Sequence, residues 1–551
     1  METSPGQGAA MPNSAPFHNE EDALQPPLPA PTVADLILAL ALLVIGFLFW
    51  DWDLILTLYA GFGTTVIFLA TIAISFAFLQ VKGIKQNGRS LLLLAVAVAG
   101  ALPFALNGER FMVNFLLILF EIAACLLWLA YSCRSQLSQR ITAVIIGDLF
   151  NQFIIVPFAN FLRFFSRPFL LLRNGGRNSG PNTTSTDVTR TKKPWVPLLF
   201  AILGLIACIP VFALVISLLS SADDGFYFFI KDLSGYLERL DLAKYTLQLI
   251  LGIPITAYIF GALIGNTFQR HTAHLSEQGL LQTFHKAHAL PKAAIYLPLS
   301  LFALLYIVFF ITLGNYLFLG LQGQLPVTYT YAEYARDGFF QLCGVATINL
   351  VILALTWLLA KRSPRSYPLP LRLLSGLLAL LTCLLIVTAA SKLLLYIQVY
   401  SLTPLRLYVS WFLLLMLLVF ALLVAWHIRP FNAARPIIAL IFAFTLTLGL
   451  ANTNGIIANY NADRYLSAQT DRIDVYLYED LGDAGVGALY RLEQNAPEKD
   501  VREKAGFILS CNRYNHECFV EAHDTGLTTL QGWQAKSLQH LRAQQLHSQH
   551  S

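Results

Sequence analysis

Glu121 stands near the middle of FMVNFLLILFEIAACLLWLAY, a run apolar enough to cross a bilayer. A carboxyl there must be protonated or partnered, so its chemistry is that of a proton or ion pathway, or of one hydrogen bond to a neighbouring helix. Lys392 is the second such charge, about two turns inside the end of an apolar run, in AASKLLLYIQVY. An ammonium there costs about 2.5 to 3.5 kcal/mol on insertion scales unless it is paired or snorkels outward. A third group of candidates lies at helix mouths. SSADDGF holds Asp223 and Asp224, and YAEYARDGFF holds Glu333, Arg336 and Asp337. YSLTPLRLY holds Arg406, and ANTNGIIANYNADRYL holds Asn454, Asn461, Asp463 and Arg464. On a helix Glu333, Arg336 and Asp337 share a face. Together these residues could form charge-assisted hydrogen bonds around a ligand, or simply end their helices as solvated caps.

Other chemistries are weakly signalled. His271 and His274, with His285 and His288, make two HxxH pairs. They could offer four imidazoles to a tetrahedral metal, but the spacing fits no strong zinc template, and His beside Lys and Arg also suits anionic lipid. No metal and no cofactor is expected. Cys125, Cys208, Cys343, Cys383 and Cys133 lie in or at the end of apolar runs and read as buried small residues, whereas Cys511 and Cys518 sit in a polar region where a short disulfide could form. There is no GxxxxGK loop ending in Ser or Thr, no HExxH, no GxSxG and no GxGxxG after a strand, so no nucleotide-driven pump, zincin or serine hydrolase is signalled. Gly261 and Gly265 form one GxxxG, which permits close helix packing.

The elements that must position these residues are membrane helices. With 56% hydrophobic and 13% charged residues, the chain lies outside soluble composition. Its apolar runs of about 20 residues are continuous, where barrel strands would alternate. Eleven spans are predicted, at about 33–50, 54–80, 90–106, 111–131, 195–220, 245–265, 294–321, 338–360, 373–399, 405–427 and 437–458. Residues 141–172, with Asp148, Asn151, Asn160, Arg163 and Arg167, read as an amphipathic helix on the membrane surface; as a span they would make twelve and reverse every later loop.

With the N-terminus inside, inner loops carry 21 Lys and Arg and outer loops six. That bias places the N-terminus in the cytoplasm and, after eleven crossings, the C-terminus outside. The expected division is a disordered tail at 1–31 that is no cleavable signal peptide, a four-helix group at 32–132, and a cytoplasmic amphipathic helix with flexible linker at 133–194. A main seven-helix domain at 195–458 and a soluble helical domain at 459–551 follow. The fold class is all-α, a polytopic transmembrane bundle with a small extracytoplasmic helical domain. A net charge of +5 with scattered basic residues gives no sign of nucleic acid, so the expected partner is the lipid bilayer, with a protein partner possible through the C-terminal domain.

SADDGF, AEYARDGFFQL, YSLTPLRLY, and GIIANYNADRYL followed by RIDVYLYEDLGDAGVGAL resemble the signature segments of a bacterial family of uncharacterised multi-pass membrane proteins, of the domain of unknown function 4173/4153 type. The likeness covers roughly residues 195–495; Asp224 stands where the family is expected to have Pro. The resemblance implies a multi-pass protein of the bacterial inner membrane, and supplies no reaction, ligand or catalytic residue. Three functional readings stay open. A transporter-like bundle would use Glu121, Lys392 and the proline-interrupted helices at Pro210 and Pro254. A scaffold or sensor would use the tail domain. An enzyme on a lipid-linked or envelope substrate would draw its acids from Asp223, Glu333, Asp337 or Asp463.

Overall fold

The computed structural model describes residues 28–51, 61–107, 111–135, 145–174, 242–270, 292–321, 339–359, 368–429, 431–513 and 536–550. Among them there are helices and no strand. The first group is α1 (Val33–Asp51), α2 (Phe62–Val81), α3 (Gly88–Leu106) and α4 (Phe111–Cys133). Next come α5 (Ile145–Phe150), a π-helical turn (Asn151–Ile155), α6 (Val156–Ala159) and α7 (Arg163–Asn174). Four long helices, α8 (Leu242–Thr267), α9 (Lys292–Leu321), α10 (Phe339–Leu359) and α11 (Leu369–Tyr400), precede α12 (Pro404–Ile428) and α13 (Ala434–Leu450). The chain closes with α14 (Thr453–Leu466), α15 (Leu477–Asp480), a 3₁₀ turn (Gly482–Gly485), α16 (Val486–Asn495), α17 (Lys499–Arg513) and α18 (Leu538–Gln549). Eight described helices are long and apolar enough to cross a membrane, or ten if each of two bent pairs is one span. The expected span at 195–220 lies outside the described residues.

Local sequence sets the helix ends. Asn87 starts α3 with a capping box: its Oδ1 accepts from the Ser90 N–H at 2.8 Å, and Ser90 Oγ accepts from the Asn87 N–H at 2.9 Å. Pro404 opens α12 at a position whose N–H has no helical acceptor in any case.

Small residues set the packing, as expected where lipid offers helices no hydrophobic incentive to associate. α1 crosses α8 at Gly46 and Gly252, whose backbones touch: a Cβ on Gly252 would fall 2.7 Å from Gly46 carbonyl atoms. Thr256 Oγ1 donates to Leu42 O across the same crossing at 3.0 Å. The glycines of the GxxxG receive α6, since a Cβ on Gly261 would lie 2.5 Å from Pro157 O and one on Gly265 2.5 Å from Val156 Cγ1. Thus α8, which follows the linker in sequence, packs into the core of the first group with Leu38, Leu42 and Trp128. α13 touches that group too, through Leu448 against Phe104 and Leu117.

Two segments differ from a straight helical reading. In the 145–174 region the polar side chains turn into the protein: Asp148, Asn151, Gln152, Asn160 and Arg167 are all buried. Asn266 Nδ2 donates to Gln152 Oε1 at 2.7 Å, and Ser135 Oγ bonds Asn266 Oδ1. The expected span at 437–458 is broken. α13 ends at Leu450, and α14 leaves at 64° because Asn452 caps a new helix, its Oδ1 accepting from the Gly455 N–H at 2.8 Å.

α14 opens the C-terminal helices, α14 to α18, called the tail domain below. Ile457, Ala458 and Tyr465 of α14 pack with Tyr478, Leu489, Leu492, Val501, Ile508 and Ala543 in a core continuous with that of α11 and α12. α18 closes it: His540 Nδ1 meets Asp483 Oδ2 at 2.8 Å, and Tyr490 OH meets His547 Nδ1 at 2.8 Å.

Candidate functional site: the junction between bundle and tail domain

Three of the residues marked by the sequence at helix mouths, Arg406, Asn461 and Arg464, meet where α11 turns into α12 and α14 crosses the turn. Asn461 grips the turn from both sides: its Oδ1 accepts from the Leu402 N–H at 2.9 Å and its Nδ2 donates to Leu402 O at 2.8 Å. Both partners are buried, so each backbone group has an acceptor or donor in place of water. Arg464, one turn along α14, donates to Ile397 O (3.3 Å) and Gln398 O (2.8 Å) and lies over the Tyr460 ring. Those carbonyls belong to the last turn of α11, where helical partners run out and the dipole favours a cation. Arg406 reaches back from α12 to Tyr400 O at 2.7 Å and to Ser401 O, and stacks 4.2 Å over Tyr396. Between them Ser401 is held at φ +66°, a left-handed conformation that a side chain rarely adopts.

The remaining contacts face the tail domain. Asn454 Nδ2 donates to Leu481 O at 3.4 Å, and Tyr478 OH donates to Ala458 O at 2.9 Å. Burial pushes the Tyr478 phenol well above its ordinary value. Arg491 bridges Asp463 Oδ1 (2.6 Å) and Asn459 Oδ1 (2.8 Å), but this pair is largely exposed and contributes little. At the other side of the same end, Asn107 of the α3 terminus donates to Gly449 O and Leu450 O at the end of α13, and Gln539 of α18 donates to Asn107 Oδ1 at 3.2 Å. The first N–H of α2, from Phe62, is taken by Lys536 O at 2.9 Å. The tail domain therefore bonds to the ends of α2, α3 and α11, and continues directly from the end of α13.

Arg406 and Arg464 bond main-chain carbonyls, and Asp463 bonds Arg491. Lys392 is half-buried on α11, one turn before Tyr396, whose ring serves Arg406. Asp223, Asp224, Glu333, Arg336 and Asp337 lie outside the described residues, as do Cys518, the Cys511 side chain and His271, His274, His285 and His288.

Glu121 stands apart from this junction, fully buried on α4. Cys125 Sγ approaches its Oε1 at 3.5 Å, and Oε2 has no hydrogen-bond partner. The carboxyl packs onto Gly100 of α3, where any Cβ would collide with Oε2.

One charge cluster escaped the sequence reading. Asp35, fully buried in the first turn of α1, pairs with Lys82 Nζ at 2.8 Å and with Arg167 Nη2 at 2.7 Å. Its Oδ2 also accepts from the Thr32 N–H at 2.9 Å, and Arg167 lies 4.8 Å from the Phe268 ring centre. This cluster ties α1, α2 and α7 together at the end of the bundle opposite the tail domain. The one signal available was an acid in the first turn of a helix that is otherwise apolar up to its last residue, Asp51.

Long apolar helices, small-residue crossings and intramembrane polar groups define a polytopic α-helical membrane protein. The chain belongs to the DUF4153 family, a domain of unknown function, whose model matches residues 93–492. The match extends the expected likeness back into α3 and α4, where the resemblance had been placed only from residue 195. No curated protein and no solved structure matches the chain.

Proposed function

We propose that this is a non-enzymatic inner-membrane protein whose bundle holds its C-terminal domain at the outer face as a scaffold or sensor. The bonding of the tail domain to the ends of α2, α3 and α11, with its direct continuation from α13, carries the reading. Those four ends belong to loops poor in Lys and Arg, the side that the basic-residue bias makes external. Polar groups that could have lined an open ligand site instead satisfy helix-terminal carbonyls and the α11–α12 turn, so the tail domain is fixed in orientation relative to the membrane. A domain so held can present a surface to a protein partner or transmit a change in the bundle.

Glu121 supports the second reading, a transporter-like bundle, because a buried intramembrane acid with an unbonded oxygen is costly unless used. An enzyme on a lipid-linked substrate is the third.

Complementation separates the first two. In cells lacking the native copy, Asn461→Ala together with Arg464→Ala should fail to restore the phenotype while the protein still inserts, and Glu121→Gln should restore it. The reverse pattern would replace the scaffold by the transporter.

A further inference from the structure

Glu121 belongs to a stripe. On α4 it is followed by Cys125, Trp128 and Ser132, at steps of four, three and four residues, which fall within about 60° of arc on a helix of 3.6 residues per turn. At the far end of the stripe, roughly 16 Å from Glu121 along the helix, Ser132 Oγ donates to Gln86 Oε1 at 2.8 Å and Trp128 Nε1 donates to the same oxygen at 3.3 Å. Gln86 lies in the α2–α3 turn and is only half-buried. Two buried polar atoms mark the two ends of this line without hydrogen-bond partners: Glu121 Oε2 and Gln86 Nε2. In the other direction the stripe turns apolar. Leu117, one turn before Glu121, is 1% exposed and wedged against Pro103 and Gly449, where a Cβ would lie 2.7 Å from Leu117 Cδ2.

We propose that Glu121 is an occluded proton-binding site, loaded and emptied from the α2–α3 end of the bundle along the α4 stripe. A negative charge here would have no compensating cation: among the described residues no Lys, Arg or His pairs with Glu121, and its one polar neighbour is a weak thiol donor. On loading, hydronium at the Gln86 end gives up its proton to the carboxylate, leaving water and the neutral acid; on release the same proton returns to water and the carboxylate is restored. Gln86 and Trp128 cannot pass protons themselves, so they serve as polar anchors for a file of water, and Ser132 can both donate and accept. Toward the tail-domain end the stripe continues into apolar Leu117, which offers a proton no polar anchor. The site does not depend on the scaffold reading: a scaffold, a sensor or a transporter could each contain it.

Infrared difference spectroscopy of the full-length protein in liposomes, with the bath switched between light and heavy water, reads the site directly. A buried carboxylic-acid carbonyl band that shifts on deuteration should be present near neutral pH in the wild type and missing in Glu121→Gln. Gln86→Leu should slow the shift by roughly an order of magnitude, while Leu117→Ala should leave loading from the Gln86 end intact. Should Glu121→Gln fail to fold, Gly100→Ala, which pushes on Oε2, must instead move the wild-type band. A band unaltered in Glu121→Gln, or in Gly100→Ala, would overturn the assignment to Glu121. Exchange equally fast in Gln86→Leu would overturn the route.

Discussion

Asn461→Ala removes both hydrogen bonds that hold Leu402, and among the described residues no other bond to these two groups takes their place. Leu402 is 7% exposed, so its N–H and C=O stay out of water when the amide is gone. A buried backbone group left without a partner costs about 1 to 3 kcal/mol. Two such groups, with some relaxation of the turn, give about 2 to 5 kcal/mol. At about 1.4 kcal/mol per factor of ten, local opening at the junction should rise roughly thirty-fold to a few thousand-fold. Hydrogen exchange read by mass spectrometry on the protein in nanodiscs should show this in peptides of α14 and of the α11–α12 turn. The spanning part of α8, which does not touch the junction, should exchange at the wild-type rate. Asp463→Asn is the control: its pair with Arg491 is surface-exposed, and its loss should cost no more than about 1 kcal/mol. If Asn461→Ala exchanged no faster than Asp463→Asn, the clamp would not hold the tail domain, and the inference from its geometry would fail.

Other perturbations address other parts of the molecule. Asp35→Asn leaves Lys82 and Arg167 facing each other without their acid and should cost about 3 to 5 kcal/mol, read as lost monodisperse yield and lower thermal stability in detergent. Gly252→Val places side-chain atoms in the Gly46 backbone of α1, and should destabilise the α1–α8 crossing by about 1 to 3 kcal/mol, whereas Gly83→Val, with open space around it but a positive φ, should disturb only its own turn. Tyr478 gives a pH dependence. Burial raises its folded value above the unfolded one, so its contribution is complete below the unfolded value of about 10 and is lost as pH rises beyond it. Alkaline unfolding of the tail domain should therefore be shallower in Tyr478→Phe, at the price of about 1 kcal/mol at neutral pH from the lost bond to Ala458 O.

The fold class was legible because lipid imposes it: apolar runs of spanning length can only be helices, and α1, α3, α4, α11 and α12 begin and end within a few residues of their expected limits. The break at Ala451–Asn452 was less so, since a hydropathy count continues through GIIA while the capping amide that redirects the chain is a matter of local geometry. Of the polar residues singled out at helix mouths, Arg406, Asn454, Asn461, Asp463 and Arg464 lie among the described residues. Their partners were not legible, because four of the five bond backbone groups, and every residue in a sequence has the same backbone. Asp35, Lys82 and Arg167 are far apart in the chain and only tertiary packing shows that they neutralise one another. The same holds for Gly46 and Gly252, which carry no motif between them.

The central claim is that the domain bonded to the ends of α2, α3 and α11 faces outward. Single cysteines at two exposed positions of an otherwise cysteine-free full-length chain, Asp471→Cys in the tail domain and Lys85→Cys in the α2–α3 turn, test it in intact cells with a membrane-impermeant thiol reagent. The account predicts labelling at position 471 without permeabilisation, and at position 85 only after the membrane is opened. Labelling at 85 alone in intact cells would invert the protein and contradict the outward-facing scaffold.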